Sequence, residues 1–369
     1  MKIGITSKFS YDFFSNGLNQ NIVLLYEAIE NLGIDVFLLD FTNKKKNEKF
    51  HNHKFLEGKT IVNWWDFATS EDKYTDILLC PGVSPNADIH HEIKKGNPKS
   101  KICAIHYGNN LLSDINNLYF REDKILYSFG EEKYSDLCLY SPHYKFAKEY
   151  LECNNKSESM ELPYIWSPKF IKLEAEINNI NPKYRPVARP NIAVVEPCLN
   201  VSKTNFIPLA IIIETLRNKP HVFNEAYIFS NQLRSSGQQF NKHIQNNTII
   251  KDFKNRIFFD PRQKFPFILA RDNPIILSHQ FYNELNYVYL EALYYNFPLV
   301  HNSPPFKEAG YFYKDFNIKS GRDRVIHAAE RHNDLLSEQK EAASEIIEKY
   351  SIAANQNKIK QIIEKIAND

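Results

Sequence analysis

Ser278-His279-Gln280-Phe281-Tyr282-Asn283-Glu284-Leu285-Asn286-Tyr287-Val288-Tyr289-Leu290-Glu291-Ala292-Leu293, followed by Tyr294-Tyr295-Asn296-Phe297-Pro298-Leu299-Val300, decides the fold class. The apolar run Pro274 to Leu277 just before it reads as a buried strand, the polar residues after it as a loop, and the spacing from about Asn286 as a helix. Asn296-Phe297-Pro298 breaks that helix, and Leu299-Val300 begins another strand. Strand, helix and strand in so short a span make a βαβ unit, which places parallel strands in a sheet covered by helices on both faces.

The same alternation extends in both directions. Toward the N-terminus of this half, Ile192 to Val195 predicts a strand, about Ser202 to Arg217 a helix, and Ala226 to Phe229 and Ile257 to Phe259 two more strands. An independent series opens the chain. Ile3 to Thr6 reads as a strand, a polar loop follows through Gly17, a helix runs from about Leu18 to Leu32, and Gly33 stops it before the strand Ile34 to Asp40. Ile77 to Cys80, Ile102 to His106 and Leu137 to Tyr140 supply further strands. The expected architecture is therefore α/β, with two Rossmann-like doubly wound domains facing across a cleft. Residues 1–165 form the first domain and 191–336 the second. Residues 166–190 hold Pro168, Pro182, Pro186 and Pro190 and read as a linker, while 337–369 have helical apolar spacing and are expected to cross back to the first domain.

Composition narrows the function classes. A chain of 369 residues with 43% hydrophobic and 24% charged residues suits two globular domains. With 26 Phe and 21 Tyr against 2 Met, the core must be aromatic. The 46 basic and 44 acidic residues leave a formal charge of +2, so no large field draws the protein to nucleic acid or membrane. Five cysteines without CxxC spacing suggest neither a disulfide framework nor a zinc site and favour a reducing cytoplasm, bacterial or that of a phage-infected host. The first residues are too polar for a signal peptide, and no run is long enough to span a membrane. Lys44-Lys45-Lys46 reads as a solvated loop, and the pairs His51/His53 and His90/His91 lack the spacing of a metal site.

Doubly wound sheets bind ligands beyond the carboxyl ends of their strands. Neither a GxGxxG nor a P-loop pattern occurs, which argues against hydride transfer and nucleoside triphosphate hydrolysis. In Val194-Val195-Glu196-Pro197-Cys198-Leu199-Asn200-Val201-Ser202-Lys203, a strand runs into a helix start. Free N–H groups and Lys203 would suit a diphosphate there; the alternative is a Ser202 N-cap beside a surface lysine. Glu284 and Glu291 are seven apart and would share a face if the helix reached that far, and Glu291 could accept both hydroxyls of a ribose. Arg262 follows the strand ending in Phe259 and offers a second cation, while His279 and His301 follow strands and could touch the donor. In the N-terminal half His106 ends a strand and could deprotonate an acceptor hydroxyl, with Asp12 as the competing base and Asn16, Gly17, Asn19 and Gln20 as cleft residues.

These residues carry a resemblance. Glu291-Ala292-Leu293 followed by Asn296-Phe297-Pro298 is similar to the Glu-Ala-Leu/Met helix and Gly/Asn-x-Pro turn of the GT-B glycosyltransferases. Val195-Glu196-Pro197 with Asn200, Val201 and Lys203, then Ser278-His279-Gln280, Asn286-Tyr287, Leu299-Val300-His301-Asn302-Ser303 and Ala309-Gly310-Tyr311, more closely resembles a bacterial GT-B-like family catalogued as a domain of unknown function. The match is densest over residues 190–315. Glu284 to Glu291 is one residue shorter than the paired-glutamate spacing of GT-B enzymes, which puts a sugar-binding role for Glu284 in doubt. A looser similarity to phage DNA glucosyltransferases rests on Lys101-Ile102-Cys103-Ala104-Ile105-His106.

The resemblance implies a hexosyl- or pentosyltransferase that takes a nucleotide-sugar, with UDP favoured, and uses no other cofactor and no metal. Its donor-binding positions would be Glu196, Asn200, Lys203, Arg262, His279, Asn286, Glu291 and His301. The acceptor partner would be a glycan hydroxyl, such as a growing surface polysaccharide, or a hydroxymethylated DNA base in a phage enzyme. Two other classes fit the same fold: a sugar-nucleotide epimerase and a non-catalytic nucleotide-sugar sensor.

Overall fold

The computed structural model describes residues 1–9, 13–14, 17–42, 54–120, 134–155, 157–198, 201–230, 242–244 and 246–368. The chain forms two compact units, one of Met1–Ser167 with the segment from Tyr350 onward, the other of Pro168–Lys349.

The first unit holds a parallel sheet of β1 (Lys2–Ser7), β2 (Asp35–Asp40), β3 (Ile61–Asn63), β4 (Ile77–Cys80), β5 (Lys101–His106), β6 (Leu137–Tyr140) and β7 (Ser159–Glu161), in the order β3-β2-β1-β4-β5-β6-β7. The inner strands are near-continuous apolar runs because helices cover both faces. The chain order reverses between β1 and β4, where ligands of doubly wound sheets bind. There Thr6 Oγ1 accepts from the N–H groups of Gly82, at 3.3 Å, and Val83, at 3.1 Å. A Cβ on Gly82 would stand 2.7 Å from the Thr6 carbonyl, so only glycine permits this approach. The last helix, Ile352–Asn368, lies on the first, Gly17–Glu30, and Gln356 Nε2 donates to the Ala28 carbonyl at 2.6 Å.

The second unit repeats the plan with β8 (Asn191–Val194), β9 (Ala226–Ser230), β10 (Ile257–Pro261), β11 (Pro274–Leu277), β12 (Leu299–His301) and β13 (Tyr311–Phe312), all parallel in the order β10-β9-β8-β11-β12-β13. This is the doubly wound order, with its switch point between β8 and β11. The helices Phe206–Asn218 and Ile318–Arg331 pack together, and the crossing leaves no room at Gly321, where a Cβ would meet Ile211 Cδ1 at 2.5 Å. Large aromatics fill the interiors as the composition requires; Tyr26, Phe37, Phe223, Tyr289, Phe297 and Tyr313 are all buried.

Several elements differ from the sequence expectations. Residues 166–190 are not all linker: Pro168 starts the helix Lys169–Ile177, which buries Phe170, Ile171 and Leu173. Proline stands before that helix, where its missing N–H costs nothing. The C-terminal helices divide between the units, since Leu336–Lys349 stays in the second and only Ile352–Asn368 belongs to the first. The helix expected from Ser202 begins at Phe206, so Asn205 rather than Ser202 takes the cap position. Among the described residues no helix is long and apolar enough to cross a membrane.

Candidate functional site

The site assembles at the switch point of the second unit, where the loops after β8 and β11 meet. Each loop carries a non-glycine residue in the left-handed region, Cys198 at φ 53° and Tyr282 at φ 50°. Such backbone costs about 1 kcal/mol or more per residue and gathers where function shapes the chain.

Glu196 follows β8 and is 1% exposed. Its Oε1 accepts from Ser278 Oγ at 2.6 Å and from Gln280 Nε2 at 3.2 Å, both from the loop after β11. Ser278 Oγ also lies 2.8 Å from Tyr289 Oη; because the Ser278 proton goes to Glu196, Tyr289 is the donor. Asn302, after β12, fixes the loop by accepting from the Gln280 N–H at 2.6 Å and donating to its carbonyl at 2.8 Å. Burial pushes the Glu196 carboxyl up, while Lys203 and Arg262 pull it down. Lys203, half-buried before the helix Phe206–Asn218, is pushed down by burial and by Arg262, against the pull of Glu196. Neither cation makes an ion pair within 4 Å among the described residues, so both charges are open to a ligand. Arg262 is exposed just beyond β10, with its backbone N–H tied to the Ser230 carbonyl at 3.0 Å.

Glu291 lies on the helix Tyr287–Tyr294, whose N-cap is Asn286, with Oδ1 accepting from the Val288 N–H at 3.2 Å. The Glu291 side chain is 8% exposed and has no hydrogen-bond partner among the described residues. Burial, with Glu174 on the helix Lys169–Ile177 adding like charge, pushes its carboxyl up to about 8, against the pull of Arg262. Arg262 thus acts electrostatically on both Glu196 and Glu291. The carboxylates and cations form one charged constellation in which Lys203 and Arg262 could hold a diphosphate and Glu291 a pair of hydroxyls.

Other expected residues fall elsewhere. Glu284 lies in the loop before the helix, so it shares no helical face with Glu291. His301 is fully buried; its Nδ1 accepts from the Ser303 N–H at 3.2 Å and its Nε2 faces the Ala309 carbonyl at 2.9 Å. With both nitrogens engaged it braces the turn after β12 and has nothing left for a donor. Asn286 likewise spends its carbonyl oxygen on the cap. His279 is 1% exposed, with Nδ1 3.0 Å from Tyr313 Oη and Nε2 buried without a partner among the described residues; burial holds it at about 4 and therefore neutral. Asn200 lies outside the described residues.

In the first unit His106 ends β5. Its Nδ1 is 2.7 Å from Asn110 Nδ2, its Nε2 is buried without a partner among the described residues, and burial pulls it down to about 4. With the Asn110 amide donating, Nε2 carries the ring proton; rotating that amide by half a turn gives Nε2 the lone pair a base needs. Gln20 is buried and its Nε2 donates to the Phe13 carbonyl at 3.1 Å, so it pins the first loop rather than facing a ligand. Gly17 is the first residue of the helix Gly17–Glu30, and Asn19 is buried within it. Asp12 and Asn16 lie outside the described residues, as do Lys44-Lys45-Lys46 and His51/His53. No group of three His, Cys, Asp or Glu able to hold a metal lies among the described residues.

Ser278, Gln280 and Tyr289 stand in the segment that decides the fold, yet their support of Glu196 escapes sequence reading. It depends on β8 and β11 being neighbours, which only the strand order reveals. Glu174 left no signal at all, because it sits in a segment whose prolines suggest a linker.

Two parallel doubly wound units of this kind define the GT-B class of fold. The chain belongs to the family described as protein of unknown function DUF2827, which matches residues 3–364. No curated protein matches it in sequence. Among solved structures it is similar to a glycosyltransferase from Rickettsia africae ESF-5, at 13% identity over 99% of this chain and 98% of that one, with a TM-score of 0.58. It is also similar to an alpha-glucosyltransferase in complex with UDP and a 13-mer DNA containing a HMU base, at 11% identity over 100% of both chains and a TM-score of 0.60. A third similar structure is Anabaena HepE in complex with UDP and glucose, at 10% identity over 99% of each chain and a TM-score of 0.58.

Proposed function

We propose that the chain is a glycosyltransferase that binds a UDP-sugar at the switch point of its second unit and transfers the sugar to an acceptor hydroxyl. The observation that carries this reading is the constellation of buried Glu291 with Lys203 and Arg262, all three without a hydrogen-bonded or ion-paired side-chain partner among the described residues, beside the β8 and β11 loops. UDP in the similar alpha-glucosyltransferase and in HepE supports the same ligand class. Lys203 and Arg262 take the diphosphate, and their charge stabilises it as it departs, which makes a metal ion unnecessary. Glu291 takes the ribose hydroxyls as a carboxylate, releasing its proton to solvent as they bind, so that each of its two oxygens accepts from one hydroxyl. His106 serves as the base in the first unit, with the Asn110 oxygen holding its Nδ1–H.

The acceptor is a glycan hydroxyl or a hydroxymethylated base in DNA. The DNA in the alpha-glucosyltransferase complex favours keeping the second. Phosphate contacts make DNA affinity fall steeply with salt, so salt-dependent binding to duplex DNA selects that acceptor and its absence selects a glycan. The epimerase alternative finds no support in the structures named above. The test of the function is incubation with UDP-sugars: transfer or slow hydrolysis releasing UDP is expected. Conversion to another UDP-sugar without release would make the protein an epimerase, and binding without turnover would make it a sensor.

A further inference from the structure

Glu196 departs from its neighbours in the site by being an anion among groups that await an anion. Lys203 and Arg262 lie close enough for their charges to be felt at its carboxylate, yet neither pairs with it. Its Oε1 is filled by the Ser278 hydroxyl and the Gln280 amide, but its Oε2 is buried with no partner among the described residues. The Gln280 amide shows the same pattern: Nε2 donates to Glu196, and Oε1 is buried with no partner among the described residues. Leaving such atoms unmatched is costly, most of all for a charged group, so they require a reason. Both orphans are acceptors. A phosphate oxygen is an acceptor too and would be repelled by the carboxylate. The missing groups must therefore be hydrogen-bond donors without negative charge, and a polyol supplies two of them on one ligand.

We infer that Glu196 Oε2 and Gln280 Oε1 form the subsite for hydroxyl groups of the transferred sugar, with Ser278 and Tyr289 acting as positioning residues behind them. This assignment rests on the donor reading above and adds to it the part of the ligand that each residue holds: cations for the diphosphate, Glu291 for the ribose, Glu196 and Gln280 for the sugar. The relay is directional. Tyr289 donates to Ser278, Ser278 donates to Glu196 Oε1, and the buried Oε2 is the carboxylate oxygen that the relay leaves unmatched. Tyr289 stands two residues from Glu291 on the same helix, so one helix braces the sugar subsite and carries the ribose carboxylate.

Glu196→Gln tests this with little change in shape. Two donors hold Oε1, so the new amide must place its oxygen there and its NH₂ at the orphan position, which replaces a charged acceptor by a donor. The measurement is calorimetric affinity for UDP and for UDP-glucose, UDP-galactose and UDP-N-acetylglucosamine, in parent and variant, with the unfolding midpoint of each as a check on folding. The ratio of UDP-sugar affinity to UDP affinity should fall about tenfold or more, the loss expected for a hydrogen bond to a charged group. Gln280→Leu, which removes the second acceptor and leaves the Ser278–Glu196 bond, should lower the ratio in the same direction, and it carries the test if Glu196→Gln does not fold. An unchanged ratio in both variants, with or without a change in stability, overturns the assignment, because ordered water then fills the orphan positions. If the parent binds UDP but both variants weaken UDP and UDP-sugar equally, the subsite belongs to the nucleotide. Failure of the parent to bind UDP or any UDP-sugar overturns the donor reading itself, and this assignment with it.

Discussion

Replacing Glu291 by Gln should make the ligand-free protein more stable and the liganded protein weaker. Glu291 is 8% exposed, its side chain has no hydrogen bond among the described residues, and burial beside Glu174 pushes its carboxyl from 4.5 up to about 8. A carboxyl raised in the folded state stabilises fully only below its unfolded value. That stability is lost as the pH rises through the folded value, because the unfolded chain releases the proton more readily. From the two values, ionising Glu291 costs the folded state under about 1 kcal/mol at pH 5, about 3 kcal/mol at pH 7 and about 5 kcal/mol at pH 9. Glutamine keeps the shape and removes the charge. In a unit of this size, 3 kcal/mol raises the melting temperature by roughly 6 to 12 °C. Melting curves of parent and Glu291→Gln between pH 5 and 9 should therefore diverge as the pH rises, while UDP affinity of the variant falls about ten- to a hundredfold. Parallel curves would refute the burial argument. A stabilised variant with unchanged UDP affinity would refute the ribose assignment.

Other outcomes follow from the same site. If Lys203 holds the diphosphate as proposed, Lys203→Ala should weaken UDP about tenfold or more and leave uridine nearly unchanged; equal losses in titrations of the two would oppose this. His106→Ala should lower turnover by about 10² to 10⁴ and spare UDP affinity, and unchanged single-turnover rates would move the base to Asp12. Turnover should survive EDTA, and loss restored only by Mn²⁺ or Mg²⁺ would contradict charge neutralisation by Lys203 and Arg262.

Strands that are buried on both faces were legible in the sequence, because each is an apolar run: Ile77–Cys80, Leu137–Tyr140 and Pro274–Leu277 coincide with their expected limits. The strands that escaped are β3, β7 and β13, all at sheet edges, where a short strand needs little apolar sequence. The edge strand β10 was readable because Ile257-Phe258-Phe259 is apolar. Of the candidate donor positions, Glu196, Lys203 and Arg262 were chosen as charged residues in segments after strands and Glu291 as a carboxylate on the next helix, and their roles belong to the proposal. His301 was misread for the same reason: position after a strand does not say whether a side chain turns toward a ligand or into a turn. The helix start near Ser202 was misplaced because Ser is a good cap, whereas the chain continues to Asn205, whose side-chain amide makes no cap bond. Contacts between residues far apart in sequence, such as Ser278 with Glu196, depend on strand order and had no local signature.

The central claim is that the second unit is built around a nucleoside diphosphate, and calorimetric titration of the intact, ligand-free protein with UDP tests it most directly. One site per chain is expected, with affinity that drops about tenfold or more in Lys203→Ala and in Glu291→Gln while both variants remain folded. The absence of saturable UDP binding by the parent, or binding that neither substitution alters, would contradict it.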